Sequence, residues 1–145
     1  MKSLVWLSDC FVSLHRSEGF GRGISESMVL GKPTIVTNYS GNLDFCSTDN
    51  CLPVPYELVP VGPNEYPHWQ NQVWADADIE TAANHMVALI DHPEMGRQIG
   101  ANARAHLTAE FSFLSRGIVY AERCAQLLIA ENAHGAASSK SRKMA

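Results

Sequence analysis

Apolar residues fall in short bursts over the first half of the chain and at helical spacing over the second. Cys10–Leu14 is a short, nearly unbroken run with β-branched character, the pattern of a buried parallel strand. Thr34–Thr37 repeats it. Between them, Gly23–Leu30 reads as a helix, with Gly31 suited to the position just past its end and Pro33 unable to continue it. Met1–Ser8 reads as the last turns of a preceding helix. Asn38–Asn42 carries turn chemistry, and Leu43–Phe45 makes one helical turn. Cys51–Val61 holds Pro53, Pro55 and Pro60, which predicts a short strand followed by an irregular extended segment. Gly62–Gln72 is a long loop, of a length that is often functional or an insertion, and Val73–Ala75 is a brief strand.

Beyond this point the period changes. Asp76 or Asp78 is placed to cap a helix that runs to about His92, with Ala82, Met86, Leu89 and Ile90 at helical spacing. Pro93 opens a second helix, to about Glu110, with Ile99, Ala103 and Leu107 on one face. Ser112 caps a third, to about Asn132, with a stripe through Ile118, Ala121, Ala125, Leu128 and Ile129. His134–Ala145 has no apolar pattern. The organisation expected is one domain over residues 1–132 and a disordered tail over 133–145. Strand, helix, strand and then helices define an α/β fold with a parallel sheet. With three or four strands available, that sheet is an incomplete three-layer α/β/α arrangement followed by C-terminal helices.

Composition adjusts the picture modestly. Apolar residues make up 46% of 145, enough for a core, while charged residues at 18% are sparse for a free-standing domain and suggest faces covered by another domain or subunit. The net charge of −4 gives no electrostatic case for nucleic acid. None of the four cysteines is spaced as a zinc knuckle or redox motif. Cys10 and Cys124 read as reduced core thiols, and Cys46 and Cys51 as a pair only in an oxidising compartment. No signal peptide or span-length apolar run is visible, so a cytoplasmic location is expected, with the membrane periphery left open.

The chemistry concentrates between the first strand and the first full helix. A loop leaving the C-terminal end of a parallel strand is where open α/β sheets bind ligands. The helix that follows offers unpaired N–H groups and a partial positive charge. Gly19, Gly21 and Gly23 let the backbone pass close to a ligand, which favours a phosphate, though the spacing is neither the dinucleotide fingerprint nor a P-loop. Glu18 and Glu26 stand eight positions apart around that turn. Ionised carboxylates only accept hydrogen bonds and suit vicinal diols. Singly, Glu26 also fits a helix-start charge and Glu18 a solvated loop residue.

The run Glu18-Gly-Phe-Gly through Glu26, then Gly31-Lys32-Pro33, a β run and Asn38-Tyr-Ser-Gly-Asn42, resembles the E-x7-E region of retaining GT-B glycosyltransferases of the family 4, group 1 type. The similarity extends from about Asp9 to Leu107, through Val73–Asp76 and the helix carrying Pro93-Glu94 and Ala101-Asn-Ala-Arg104. It implies a Rossmann-like C-terminal, donor-binding domain in part. It implies hexosyl transfer with retention from a UDP- or GDP-sugar to a glycan, lipid or small-molecule acceptor, without metal or other cofactor. Glu18 would act on the donor sugar as the catalytic and binding carboxylate. The backbone of Gly19, Phe20, Gly21 and Arg22 would approach the sugar and diphosphate, and Glu26 would hold the ribose. Ser40, Gly41 and Asn42 would lie near the donor on the next loop. The acceptor domain and the Arg/Lys pair that grips the diphosphate have no counterpart here. The chain would therefore supply part of a donor site, depend on an N-terminal domain or parent chain as partner, and be inactive alone. A non-catalytic α/β remnant or interaction module is the alternative.

Several other residues carry two readings. His15 and Arg16 either line the donor site or belong to a solvated turn. Lys32 fits a helix C-terminus. Tyr56, Tyr66, Trp69 and Trp74 are either a sugar-stacking set or packing for a loop. His85, His92 and His106 lack ligand spacing, and no metal site is expected.

Overall fold

In the computed structural model, residues 2–142 are described, with side chains from residue 3 to 129. Helix α1 (Lys2–Leu7) is followed by strand β1 (Phe11–Ser13), helix α2 (Arg22–Val29) and strand β2 (Thr34–Thr37). A 3-10 turn (Ser40–Asp44), strands β3 (Leu52–Val54), β4 (Tyr56–Pro60) and β5 (Val73–Ala77), and helices α3 (Ile79–Asp91), α4 (Pro93–Glu110) and α5 (Phe113–Arg142) complete the order.

Strands β1, β2 and β3 form a parallel sheet with β2 in the centre, Val12 opposite Ile35 and Val36 opposite Pro53. All four residues of β2 are buried. Because successive side chains point to opposite faces, unbroken burial means that both faces of the sheet are covered. Helix α2 packs on β1 and β2, and α3 on β2 and β3. The chain is thus α/β, as its pattern implies, and Rossmann-like, as the resemblance implies. The core gathers around Ile35, Val54 and Ala82, flanked by Cys10, Leu14, Leu52, Ala77 and Leu89.

The end of α2 follows its sequence closely. Gly31 has φ +73°, its N–H donates to the Met28 carbonyl, and the Lys32 N–H donates to the Ser27 carbonyl. This pair of bonds satisfies carbonyls that the helix would otherwise leave orphaned. Asp78 is the cap of α3, accepting from the Thr81 N–H at 3.1 Å.

Three expectations change. Tyr56–Pro60 is not irregular: it pairs antiparallel with β5, Leu58 opposite Ala75, as a separate two-stranded sheet. The prolines that argued against a strand stand at its borders, Pro55 before it and Pro60 at its last position, where the loss of a donor is tolerated. Cys124, expected in a core, is exposed. It lies on α5, in a unit that begins at Ala109, and among the described residues of that unit no other full helix or strand covers it. Finally, α5 runs past Asn132 to Arg142, ten residues beyond the end that its apolar stripe predicts. The expected tail thus begins inside this helix, and its end at 143–145 lies outside the described residues.

The other thiols are also free. Burial pushes the Cys10 thiol up to about 11. A hydrogen bond between Cys46 and Cys51 holds the first thiol below its ordinary value and raises the second. Among the described residues no helix is long and apolar enough to cross a membrane.

Candidate functional site

Two loops leave the C-terminal ends of adjacent parallel strands, one after β1 and one after β2. They are joined by one backbone-to-side-chain and one backbone-to-backbone hydrogen bond, which together form a latch. The Glu18 N–H donates to Ser40 Oγ at 2.8 Å, and the Gly41 N–H donates to the Glu18 carbonyl at 3.0 Å. The contact is so close that a side chain at position 41 would run into the Gly19 carbonyl. Ser40 adopts φ +70°, an uncommon conformation for a residue with a Cβ, and its hydroxyl is thereby turned to the Glu18 amide.

Beneath the latch lies His15, for which neither sequence reading describes the position. Its Nε2 is 3.0 Å from the Tyr39 carbonyl oxygen and 3.1 Å from Asn42 Oδ1. Both are acceptors, so Nε2 carries the proton and donates. Nδ1 is then free to accept from the Ser13 hydroxyl at 3.3 Å. The fully buried Asn42 also donates through Nδ2 to the Thr37 carbonyl at 3.1 Å. His15 and Asn42 are therefore a polar brace between the two strand ends. The Asn42 amide is spent on this brace, below the loop surface on which a donor contact was expected. No sequence pattern distinguishes such a histidine from a solvated one.

Helix α2 starts one residue earlier than expected, at Arg22, with Gly21 as its cap at φ +88°. Its first turn carries no acidic residue, because Glu26 lies one turn further in. There its Oε1 receives Arg22 Nε at 3.1 Å. The reading of Glu26 as a charge at the start of the helix is therefore corrected: its near partner is a cation. Arg22 is 88% exposed and Glu26 31%, so the pair is an open one that a competing ligand can replace at small cost. Phe20 packs against Phe45, ring centroids 5.0 Å apart, which pins the glycine turn to the 3-10 segment.

The hairpin β4–β5 supplies a wall that the sequence does not announce. The Ala75 N–H donates to the Arg16 carbonyl at 2.9 Å, fastening β5 to the loop after β1. The Arg16 guanidinium lies over the Trp74 ring, 4.5 Å from its centroid, and within 3.7 Å of Asp76 Oδ1. Between this wall and the Glu18–Gly19 backbone opens a cleft of about 630 Å³. Glu18, Gly19, Arg16, Tyr66, His68 and Trp74 all line it. Of the aromatic set, Tyr56 stacks on Tyr39 at 4.9 Å, the packing role, while Tyr66 and Trp74 face the cleft. Glu18, Gly19, Ser40 and Gly41 are thus brought together, and Phe20–Arg22 leads from them to Glu26 on α2.

Comparison with known proteins bears on the frame that carries these residues. Residues 1–51 match the family model described as glycosyl transferases group 1. Among solved structures, the fold matches the crystal structure of Anabaena HepE in complex with UDP, with a TM-score of 0.65 and 20% sequence identity. The match covers 85% of this chain and 29% of that one, so the chain spans under a third of the HepE protein. No curated protein matches. The structural likeness shows a Rossmann-like α/β frame, and the family match is confined to the first 51 residues.

Proposed function

We propose that the chain is part of the donor-binding domain of a retaining GT-B glycosyltransferase that moves a hexose from a UDP- or GDP-sugar to a glycan, lipid or small-molecule acceptor. The observation that carries this reading is the backbone latch between Glu18 and Ser40–Gly41. It fixes a carboxylate-bearing loop at the strand ends and hands it through a glycine turn to the N-terminus of α2, which attracts a diphosphate.

On this reading Glu18 accepts hydroxyls of the donor sugar, and Glu26 leaves Arg22 to accept the ribose hydroxyls. Arg22, released, is a cation beside the departing diphosphate. The bond from the anomeric carbon to the diphosphate breaks, and a bond to the acceptor oxygen forms on the same face. A diphosphate oxygen takes the acceptor proton. No metal or other cofactor is called for, and the chain supplies only part of the site. HepE was crystallised with UDP, which supports a uridine nucleotide as the first ligand to try.

Calorimetric titration of UDP- and GDP-hexoses into the protein tests the assignment. Glu26→Ala is expected to weaken donor affinity roughly 10-fold or more, the loss of a charge-assisted hydrogen bond to a diol. It should leave the thermal midpoint nearly unchanged, since an exposed i,i+4 pair stabilises by about 0.2–0.5 kcal/mol. Unchanged donor affinity would refute the ribose role. An interaction module remains the second reading, favoured by the exposure of Leu4, Trp6 and Leu7 on α1, a cluster of the kind that marks association surfaces. It is distinguished by the absence of any nucleotide-sugar binding.

A further inference from the structure

We infer that Cys46 and Cys51 are a peroxide-sensitive dithiol: hydrogen peroxide converts Cys46 to a sulfenic acid, and Cys51 condenses with it to a disulfide that loosens the latch between Glu18 and Ser40–Gly41. The effect on nucleotide binding rests on the donor reading, while the thiol chemistry stands apart from it. Neither cysteine has a part in the proposed donor site.

Cys46 and Cys51 are five positions apart and meet only because the segment between them folds back. Asn50 makes it do so. Its Oδ1 accepts from the Ser47 N–H at 2.8 Å, and its Nδ2 donates to the Phe45 carbonyl at 3.0 Å. The Cys51 N–H closes the turn onto the Ser47 carbonyl at 3.0 Å. The two thiols are left hydrogen-bonded to each other, with Met28 Sδ of α2 3.9 Å from Cys46 Sγ. Cys46 is half-buried, within reach of a small oxidant, and Cys51 is buried.

This is the arrangement of a nucleophile and a resolving thiol. The hydrogen bond from Cys51, aided by Asn42, outweighs burial and holds the Cys46 thiol below its ordinary value. The thiolate is the form that attacks a peroxide. Cys46 Sγ bonds to one peroxide oxygen as the O–O bond breaks. The other oxygen takes up the proton that Cys46 gave up and leaves as water. Cys51 Sγ then attacks the sulfenic sulfur, and its proton departs with the hydroxyl as a second water. The two sulfurs together lose the electron pair that the peroxide gains.

A covalent bond holds two sulfurs closer than a thiol hydrogen bond does, so oxidation draws the two segments together. Cys51 leads directly into β3, which is paired with β2 and carries the fully buried Val54, so that end is held. Cys46 is the end that yields. Its N–H donates to the Asn42 carbonyl at 2.8 Å, and Phe45 beside it packs on Phe20 of the glycine turn. A pull on Cys46 thus reaches Ser40–Gly41 along the 3-10 segment and the glycine turn through the two rings.

Non-reducing peptide mapping by mass spectrometry, on the full chain treated with hydrogen peroxide, tests the proposal. A cross-link between Cys46 and Cys51 is expected first, with Cys10 and Cys124 still free. In Cys51→Ser the sulfenic acid should persist on Cys46 and be captured by dimedone. Cys46→Ser should slow the loss of the remaining thiols roughly ten-fold. Calorimetric UDP affinity of the oxidised chain is expected to fall roughly five-fold, the scale of one lost hydrogen bond. It should return with dithiothreitol and be indifferent to peroxide in Cys46→Ser. A first cross-link through Cys10 or Cys124, or oxidation of Cys46 to the sulfonic acid without a cross-link, overturns the dithiol. A cross-link that leaves UDP affinity unchanged overturns its coupling to the latch. Absence of UDP binding in the reduced and oxidised chains alike refutes the donor reading and leaves the dithiol standing.

Discussion

At the scale of single residues, the site depends on a point where two backbones nearly touch. The Gly41 amide donates to the Glu18 carbonyl, and the space beside its Cα is filled by Gly19. A methyl group there has nowhere to go, because what it meets is backbone rather than the yielding end of a side chain. Gly41→Ala is therefore expected to push the loops apart, lowering stability by about 1–3 kcal/mol, the usual cost of overpacking. Donor affinity should fall with it. Thermal melts and titration of the same variant check this, and the far-ultraviolet signal of the parallel sheet should survive. A variant as stable and as tightly binding as the wild type would mean that the latch is incidental. The carboxylates were legible at this scale because Glu18 and Glu26 bracket a glycine turn. The brace made by His15 and Asn42 was not, since both residue types are at home in solvated turns and only burial reveals their use.

At the scale of elements, the start of α3 is set by one side chain. Asp78 Oδ1 accepts from the Thr81 N–H, and Oδ2 receives the Thr81 hydroxyl. These bonds favour the ionised form, so the carboxyl titrates below its ordinary value of 3.8. A carboxylate with a depressed folded-state value contributes stability that is complete above the unfolded value and is lost as pH falls through the folded one. Asp78→Ala is thus expected to lower the melting temperature at pH 7. The gap from the wild type should shrink as the pH is taken below 3.8. A pH-independent difference would assign the effect to packing instead. The sequence narrowed this cap to Asp76 or Asp78, and it placed Pro93 at the opening of α4. Strand β4 could not, because its register is enforced by β5, and pairing across the long loop leaves no periodic mark in a segment flanked by prolines.

At the scale of the molecule, the parallel sheet has three strands and β1 forms one border of it. Its pattern was legible because strands buried on both faces are written as short unbroken apolar runs, as in Ile35–Val36. What covers the rest of the structure is less so: α1 leaves Leu4 and Leu7 more than 70% exposed, and a local pattern cannot say against what. On the proposed reading, the residues that line the cleft beside Glu18 would hold hydroxyls of the donor. The chain by itself is expected to bind a UDP- or GDP-hexose and not to transfer the sugar. Release of nucleoside diphosphate, followed with and without simple glycoside acceptors, measures this directly. Sustained acceptor-dependent release would show that the half-site suffices.

The bonds between Glu18 and Ser40–Gly41 have one more consequence. They close the β1–α2–β2 crossover into a ring, from the end of one strand through helix and strand back to the first loop. Such a ring opens as a cooperative subunit rather than residue by residue. Glu18 closes this ring and Glu26 lies within it, so both are expected to be released by the same opening. On the proposed reading, a ligand that grips either one is expected to slow hydrogen exchange across the whole crossover, the sign that sugar and ribose recognition are coupled.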